Sequence, residues 1–236
     1  ILSLLNDVNI CINLKTSWNF KKSILTKSIF DFNLDLIKII KLSSSIEKFI
    51  FFSGLGVEKR LTFRNEIISK TEDIILNELE NSFIIRPSVI LGNGDKFLSN
   101  LMPLFKMSFF IPLFGNGSKK FQPVMIDDVE KFISKLISKP ISHQRLFELA
   151  GPDDFTYKKF YSQIAENLGK KRLFVPIPMP IVKFVVKVAE KTAFSPINSE
   201  QLALFQTDNI LNNKVSGFDY FNMIPKNTIS AIKKSL

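Results

Sequence analysis

The sequence predicts an α/β fold built on a parallel sheet covered on both faces. Three observations carry that expectation. Lys48–Gly54 (KFIFFSG) and Ser82–Gly94 (SFIIRPSVILGNG) are near-continuous apolar runs, the pattern of strands buried on both sides. Between them Arg64–Glu80 (RNEIISKTEDIILNELE) has helical spacing, and strand, helix, strand in so short a span is a parallel βαβ unit. Upstream, Asn9–Leu14 (NICINL) reads as a strand, and Phe20–Leu42 reads as a helix through Ile24, Ile29, Phe32, Leu36, Ile39 and Ile40. Residues 9–94 therefore read β-α-β-α-β.

The remaining elements follow in order. Ser43-Ser44-Ser45 stops the first helix. Phe97–Phe105 is a short helix and Ile111–Lys120 (IPLFGNGSKK) a turn-rich connection. Phe121–Val124 (FQPV) is extended, because proline restricts the residue before it. Ile126–Ser138 is a helix ended by Pro140, and Arg145–Gly151 a strand. Thr156–Gly169 is a helix, with Thr156 as its N-cap and Gly169 at its end. LFVPIPMP is an extended link, and Pro180–Phe194 a helix with proline in its first turn. Short helices are expected at Ser199–Phe205 and Thr228–Leu236. No internal repeat is present. Two domains are expected: 1–92 with 121–150 interleaved, and a smaller α+β substrate-type domain over 93–236.

The composition is that of a globular chain: 236 residues, 45% hydrophobic and 23% charged. One cysteine, Cys11, excludes an intramolecular disulfide. One histidine, His143, argues against a histidine metal site or a Ser-His-Asp triad. The chain opens on Ile1, and ILSLLNDVNICINL lacks a basic region followed by a cleavage site, so it reads as a chain cut in mid-fold and not as a signal peptide. The net charge of +10 points to polyanions: nucleic acid, an anionic membrane surface or acidic partners. The lysines form no block of five, so a lysine-rich surface is the simpler expectation. Nucleic acid is disfavoured, since basic and aromatic residues do not alternate. No apolar run reaches the ~18 residues that span a bilayer.

In open parallel sheets ligands sit just past the carboxyl ends of the strands, here at Ser53-Gly54 and Pro87-Ser88. As a phosphate-binding turn Gly54-Leu55-Gly56 lacks the third glycine and follows the wrong strand, and Gly92-Asn93-Gly94 and Gly115-Asn116-Gly117 are also incomplete and read as tight turns. Either no dinucleotide binds, or its turn lies upstream of Ile1. Glu66 and Lys70 are four residues apart on one helical face. They form a surface pair, or Lys70 holds a cofactor ribose. Asp127-Asp128 at a helix start suits capping. Lys183, Lys187 and Lys191 form a stripe on an otherwise apolar helix. The expectation is that its apolar side is core and the lysines its solvated edge; an anionic membrane is the alternative.

KFIFFSGLG, ISKTED, SFIIRPSVILGNGDKFLSNL, PLFGNGSKKFQPVMIDDVEKF and FELAGPDDFT occur in one order. From Asn9 to Val175 the set resembles the atypical extended short-chain dehydrogenase/reductase family, part of the NAD-dependent epimerase/dehydratase superfamily, in its complex I alpha-subcomplex subunit nine-like branch. The resemblance implies a Rossmann-like doubly wound parallel sheet whose first strands and phosphate-binding turn precede Ile1. It implies NAD(P), held by the full-length chain. Asn13, Leu14 and Ser53 would flank the cofactor, Lys70 would hold the nicotinamide ribose, and Pro87, Ser88 and Val89 would border the nicotinamide. Ser53 and Lys70 would be the catalytic pair, and Phe121, Gln122 and Pro123 would lie on the substrate side. Two departures stand out. The family's Tyr four residues before the Lys is Glu66 here, and Tyr157, Tyr161 and Tyr220 all lie far downstream. A Glu with an ordinary pKa of ~4.3 is a poor proton donor at neutral pH. The family's Gly-containing turn after INL is replaced by Lys15-Thr16-Ser17.

The expected function is a cofactor-holding accessory protein with no turnover or slow turnover. It would dock on a respiratory membrane complex and be cytoplasmic, peripheral at the inner face of the inner membrane. One alternative is an active NAD(P)-dependent reductase or epimerase on a small or nucleotide-linked substrate, with Glu66 or water in place of Tyr. A second is a non-enzymatic basic module for membrane or nucleic acid. The sequence names no substrate.

Overall fold

The computed structural model describes residues 7–43, 45–141, 143–192, 197–212 and 216–229. In chain order the first elements are β1 (Ile10–Asn13), α1 (Lys22–Leu25), a π-helical turn (Thr26–Asp31), α2 (Phe32–Leu42), β2 (Lys48–Phe52), α3 (Phe63–Glu78) and β3 (Ser82–Pro87). There follow β4 (Ile90–Leu91), α4 (Lys96–Met107), β5 (Phe110–Phe114), β6 (Lys120–Phe121), β7 (Val124–Met125), α5 (Ile126–Ser138) and β8 (Leu146–Leu149). The chain continues through β9 (Phe155–Thr156), α6 (Tyr157–Asn167), β10 (Leu173–Ile177), α7 (Met179–Ala189), α8 (Ser199–Ala203) and α9 (Gly217–Tyr220). These elements form two compact units, Ile1–Pro87 with Ile133–Glu148, and Ser88–Phe132 with Leu149–Leu236.

The first unit holds a sheet in the order β1-β2-β3-β8. β1 and β2 are parallel, with Asn13 opposite Phe51, and β2 and β3 are parallel, with Phe52 opposite Ile85. The expected β-α-β-α-β order is therefore present. Phe49, Ile50 and Phe51 of β2 and Phe83, Ile84 and Ile85 of β3 are buried in succession, so both faces are covered. Each such side chain contributes roughly 1.5–3 kcal/mol on burial. Lys48 closes the carboxyl end of α5, donating to the carbonyls of Leu136, Ile137 and Lys139 at 2.8–2.9 Å. A cation there satisfies carbonyls that the helix cannot.

The helix expected over Phe20–Leu42 starts at Lys22 and contains a π turn. The inward residues Leu25, Ile29, Asn33 and Ile37 are each four apart. With 3.6 residues per α-turn, every such step overshoots by about 40°. The wider π turn winds less per residue and takes back part of the drift. The Asn33 amide adds a hydrogen bond to the Ile29 carbonyl at 2.6 Å. Helix α2 ends at Leu42, and Ser43 is extended; Ser44 lies outside the described residues.

The second unit pairs β4 with β7 and β5 with β10 in parallel, and β6 with β9 antiparallel. Its core is aromatic. Phe121 stacks on Tyr157 at 4.6 Å and meets Phe160 edge-on at 5.0 Å. This is why residues 121–132 belong here, and why the segment interleaved into the first unit is Ile133–Glu148 where 121–150 was expected. The LFVPIPMP link contains β10. A two-stranded ribbon has only edge strands, where proline is tolerated. Thr156 caps α6 by accepting from the Lys159 N–H at 3.1 Å. Helix α7 stops at Ala189, and of its apolar residues only Val182 and Val186 are buried core. The expectation that its apolar side is core is corrected: the helix carries more apolar surface than its one line of contact covers. The helix expected at Thr228–Leu236 falls mostly outside the described residues, as does Phe194. Among the described residues no helix is long and apolar enough to cross a membrane.

Candidate functional site

In the first unit the carboxyl ends of β1, β2 and β3 lie side by side. Past β2, the Ser53 N–H donates to the Ile85 carbonyl at 2.8 Å and the Leu55 N–H to the Pro87 carbonyl at 2.9 Å. Ser53 and Pro87 are thus brought together. The Ser53 Oγ is buried and has no hydrogen-bond partner, an unusual condition for a buried hydroxyl. Asn13 ends β1, and its amide is committed within the chain. Nδ2 donates to Asn33 Oδ1 at 2.7 Å, and Oδ1 accepts from the Lys15 N–H at 2.9 Å. Leu14 is exposed.

Lys70 is not joined to Ser53. Its ammonium meets Glu66 at 2.8 Å, with both side chains about half exposed. Hydrogen bonding to Lys70, together with its charge, holds the Glu66 carboxyl below the usual carboxylate range. At neutral pH Glu66 is therefore ionised and has no proton to give. Tyr157 and Tyr161 offer no substitute. Both lie in the second unit's aromatic core, and burial pushes both hydroxyls far above their ordinary range.

Two arginines matter that sequence reasoning missed. Arg64, buried in the first turn of α3, holds down the Thr16-Ser17-Trp18 segment that follows β1. Its Nε donates to the Ser17 carbonyl and its Nη2 to Thr16 Oγ1, each at 2.8 Å, and its guanidinium lies 3.7 Å from the Trp18 ring centre. Arg86, one residue before Pro87, meets three carboxylates. It grips Glu72 at 2.6 and 3.0 Å, and reaches Glu58 at 3.2 Å and Glu148 at 3.4 Å. Burial opposes the Arg86 charge; hydrogen bonding to Glu72 and attraction from Glu72, Glu58 and Glu148 more than offset it and raise its pKa. The signal for Arg86 was a charge inside an apolar strand, SFIIRPS, which demands a buried counter-charge.

In the second unit Ser88 is buried, its N–H donating to the Leu149 carbonyl at 2.8 Å. Its Oγ, like that of Ser53, is buried without a partner. The Val89 carbonyl accepts from the Val124 N–H at 2.9 Å. The three residues expected on the substrate side are engaged in the unit's own structure. Phe121 is fully buried. Gln122 donates to the Gly151 carbonyl at 2.7 Å and accepts from the Leu211 N–H at 3.1 Å. The Pro123 carbonyl accepts from the Gly151 N–H at 3.1 Å and from Thr228 Oγ1 at 3.3 Å. Asp127 and Asp128 both accept from Lys226, Asp127 from its ammonium and Asp128 from its N–H.

The approach of Pro123 to Gly151 leaves no room for a side chain: a Cβ on Gly151 would lie 2.2 Å from the Pro123 carbonyl oxygen. Gly151→Ala should destabilise the second unit by about 1–3 kcal/mol, read from the urea midpoint. An unchanged midpoint would refute the close approach.

Sequential parallel strands with covering helices define a Rossmann-like α/β fold. Solved structures agree on the fold. A nucleoside-diphosphate-sugar epimerase from Staphylococcus aureus matches 99% of this chain and 78% of its own with a TM-score of 0.75 at 13% identity. A human epimerase family protein solved with NADPH matches 99% and 85% with a TM-score of 0.73 at 15% identity. No protein-family model matches the chain. Among curated proteins it is similar to subunits named as complex I alpha subcomplex subunit 9. It is 27% identical over 201 residues to NADH dehydrogenase (ubiquinone) 1 alpha subcomplex subunit 9, mitochondrial, of Arabidopsis thaliana, which covers 80% of this chain and 50% of that protein. The chain spans about half the length of the curated relatives it matches.

Proposed function

We propose that this chain is part of a protein that holds NAD(P) and turns it over slowly or not at all, serving as an accessory protein of a respiratory complex of the complex I type. The observation that carries the reading is the Glu66–Lys70 pair. Where the resembled enzymes place a proton-donating Tyr, this chain places a carboxylate that its own lysine keeps ionised. The residues fit a nucleotide cofactor better than they fit a reaction. In the first unit Ser53 keeps a buried hydroxyl without a partner, which a ligand's polar groups would satisfy. When bound, NAD(P)H supplies a hydride. On this reading Ser53, Lys70, Asn13, Leu14 and Pro87 of the first unit hold it. Lys70, half exposed, exchanges Glu66 for ribose hydroxyls. Similarity to named respiratory subunits supports the partner and a peripheral position at the inner face of an inner membrane.

The test uses the full-length protein with its upstream segment. NADPH and NADH are titrated by fluorescence, and the reduced cofactor is then offered aldehydes, ketones and sugar nucleotides. Binding without oxidation is expected, and Lys70→Ala should weaken it about tenfold. Absence of binding would overturn the cofactor-holding role. Steady oxidation with any substrate would replace it with the reductase or epimerase reading.

A further inference from the structure

The net charge is not spread evenly. Residues 96–126 hold four basic side chains and residues 167–189 hold five, and neither segment has an Asp or Glu. The rest of the chain is close to neutral, since the whole carries 32 basic and 22 acidic residues. The two segments contain β5 and β10, which pair, and α7, which packs on them. Val182 and Val186 of α7 sit in one cluster with Phe114 of β5 and Ile177 of β10. Phe114 and Ile177 are opposite one another, as are Phe110 and Leu173 at the other end of the ribbon. Opposed residues, and those two apart, share a face. Phe110, Leu173 and Val175 therefore lie on the face that α7 covers, beyond its reach, and all three are exposed.

Helix α7 presents a second stripe away from that contact. Ile181, Phe184, Val185 and Val188 are 53%, 70%, 57% and 49% exposed, at the i, i+3, i+4, i+7 spacing of one helical face. Lys183, Lys187 and Lys191, all exposed, run beside it at i, i+4, i+8. No uncharged polar side chain occurs in α7. A protein partner would favour a rim of hydrogen-bonding groups, and lysine is depleted at such interfaces. An apolar stripe flanked by lysines suits a lipid surface, where acyl chains meet the stripe and anionic headgroups meet ammonium groups on long stems.

We infer that the α7 face, with the bare end of the β5–β10 ribbon, lies on an anionic lipid bilayer. The inference does not depend on the cofactor. It is tested by sedimenting the full-length protein with vesicles of phosphatidylcholine alone or phosphatidylcholine with phosphatidylglycerol. Binding is expected to the anionic vesicles and to be at least tenfold weaker to the neutral ones, falling as salt rises and screening shortens. Phe184→Asp, and separately Lys183→Gln with Lys187→Gln and Lys191→Gln, should each cut anionic binding at least tenfold while leaving the circular dichroism and unfolding midpoint unchanged. Three results would overturn the inference: no vesicle binding, equal binding to both vesicle types, or a concentration-dependent dimer that Phe184→Asp dissolves, which would mean that a second copy covers the face.

Discussion

Arg86→Met is expected to lower the unfolding free energy by about 3–5 kcal/mol, the loss seen when one partner of a buried ion pair is removed. At this chain length that corresponds to a fall in Tm on the order of 10 °C. The argument rests on Glu72, whose side chain is 3% exposed and whose two oxygens are both gripped by Arg86. Without the guanidinium, Glu72 stays in the interior with no counter-charge, beside Glu58 and Glu148. Arg86→Lys should fall in between, because one ammonium cannot reproduce the two-pronged contact. Adding Glu72→Gln to Arg86→Met should restore part of the loss, since the bare charge is then gone. Calorimetry on the three variants decides the matter. A loss below about 1 kcal/mol for Arg86→Met, the size of a surface pair, would show that water screens the cluster.

Phe121→Ala is expected to cost about 3–5 kcal/mol, typical of emptying a buried aromatic site. Phe121 is fully buried and touches Phe97, Tyr157 and Phe160 at centroid distances of 5.7, 4.6 and 5.0 Å. Ring pairs of this kind add about 0.5–1.5 kcal/mol beyond burial. Phe121→Leu, which keeps most of the volume, should cost less than half as much. The readout is the urea midpoint together with the near-ultraviolet circular dichroism of the aromatic cluster. Equal losses for Ala and Leu would argue against a packed ring site.

Much of the first unit was legible in the sequence, because strands buried on both faces write themselves as unbroken apolar runs. KFIFF and SFIIRP became β2 and β3, and Ile126–Ser138 became α5 with the expected bounds. Strands β4, β6, β7 and β9 were not legible; two residues carry no period. Strand β10 was hidden by its prolines. Exposure of α7 could not be read, since periodicity gives the direction of an apolar face but not what covers it. At the site, Glu66 and Lys70 were readable as neighbours on one helix. The partners of Arg86 were not, because Glu72, Glu58 and Glu148 lie 14, 28 and 62 residues away. Glu72 nonetheless falls between the buried residues Ile68 and Ile75, on the inward side of α3, where a carboxylate calls for a partner.

The wide turn at Thr26–Asp31 bears on which changes of length this chain tolerates. Such a turn holds one residue more than an α-helix would use over the same rise. Losing any one residue there would let the helix close as a regular one with its two ends facing as before, because the wider turn winds less per residue and already absorbs the extra one. Leu25, now fully enclosed, would stay inward, and the link from β1 would keep its path. A relative lacking one residue here should therefore keep its apolar side chains in phase on both sides of the turn.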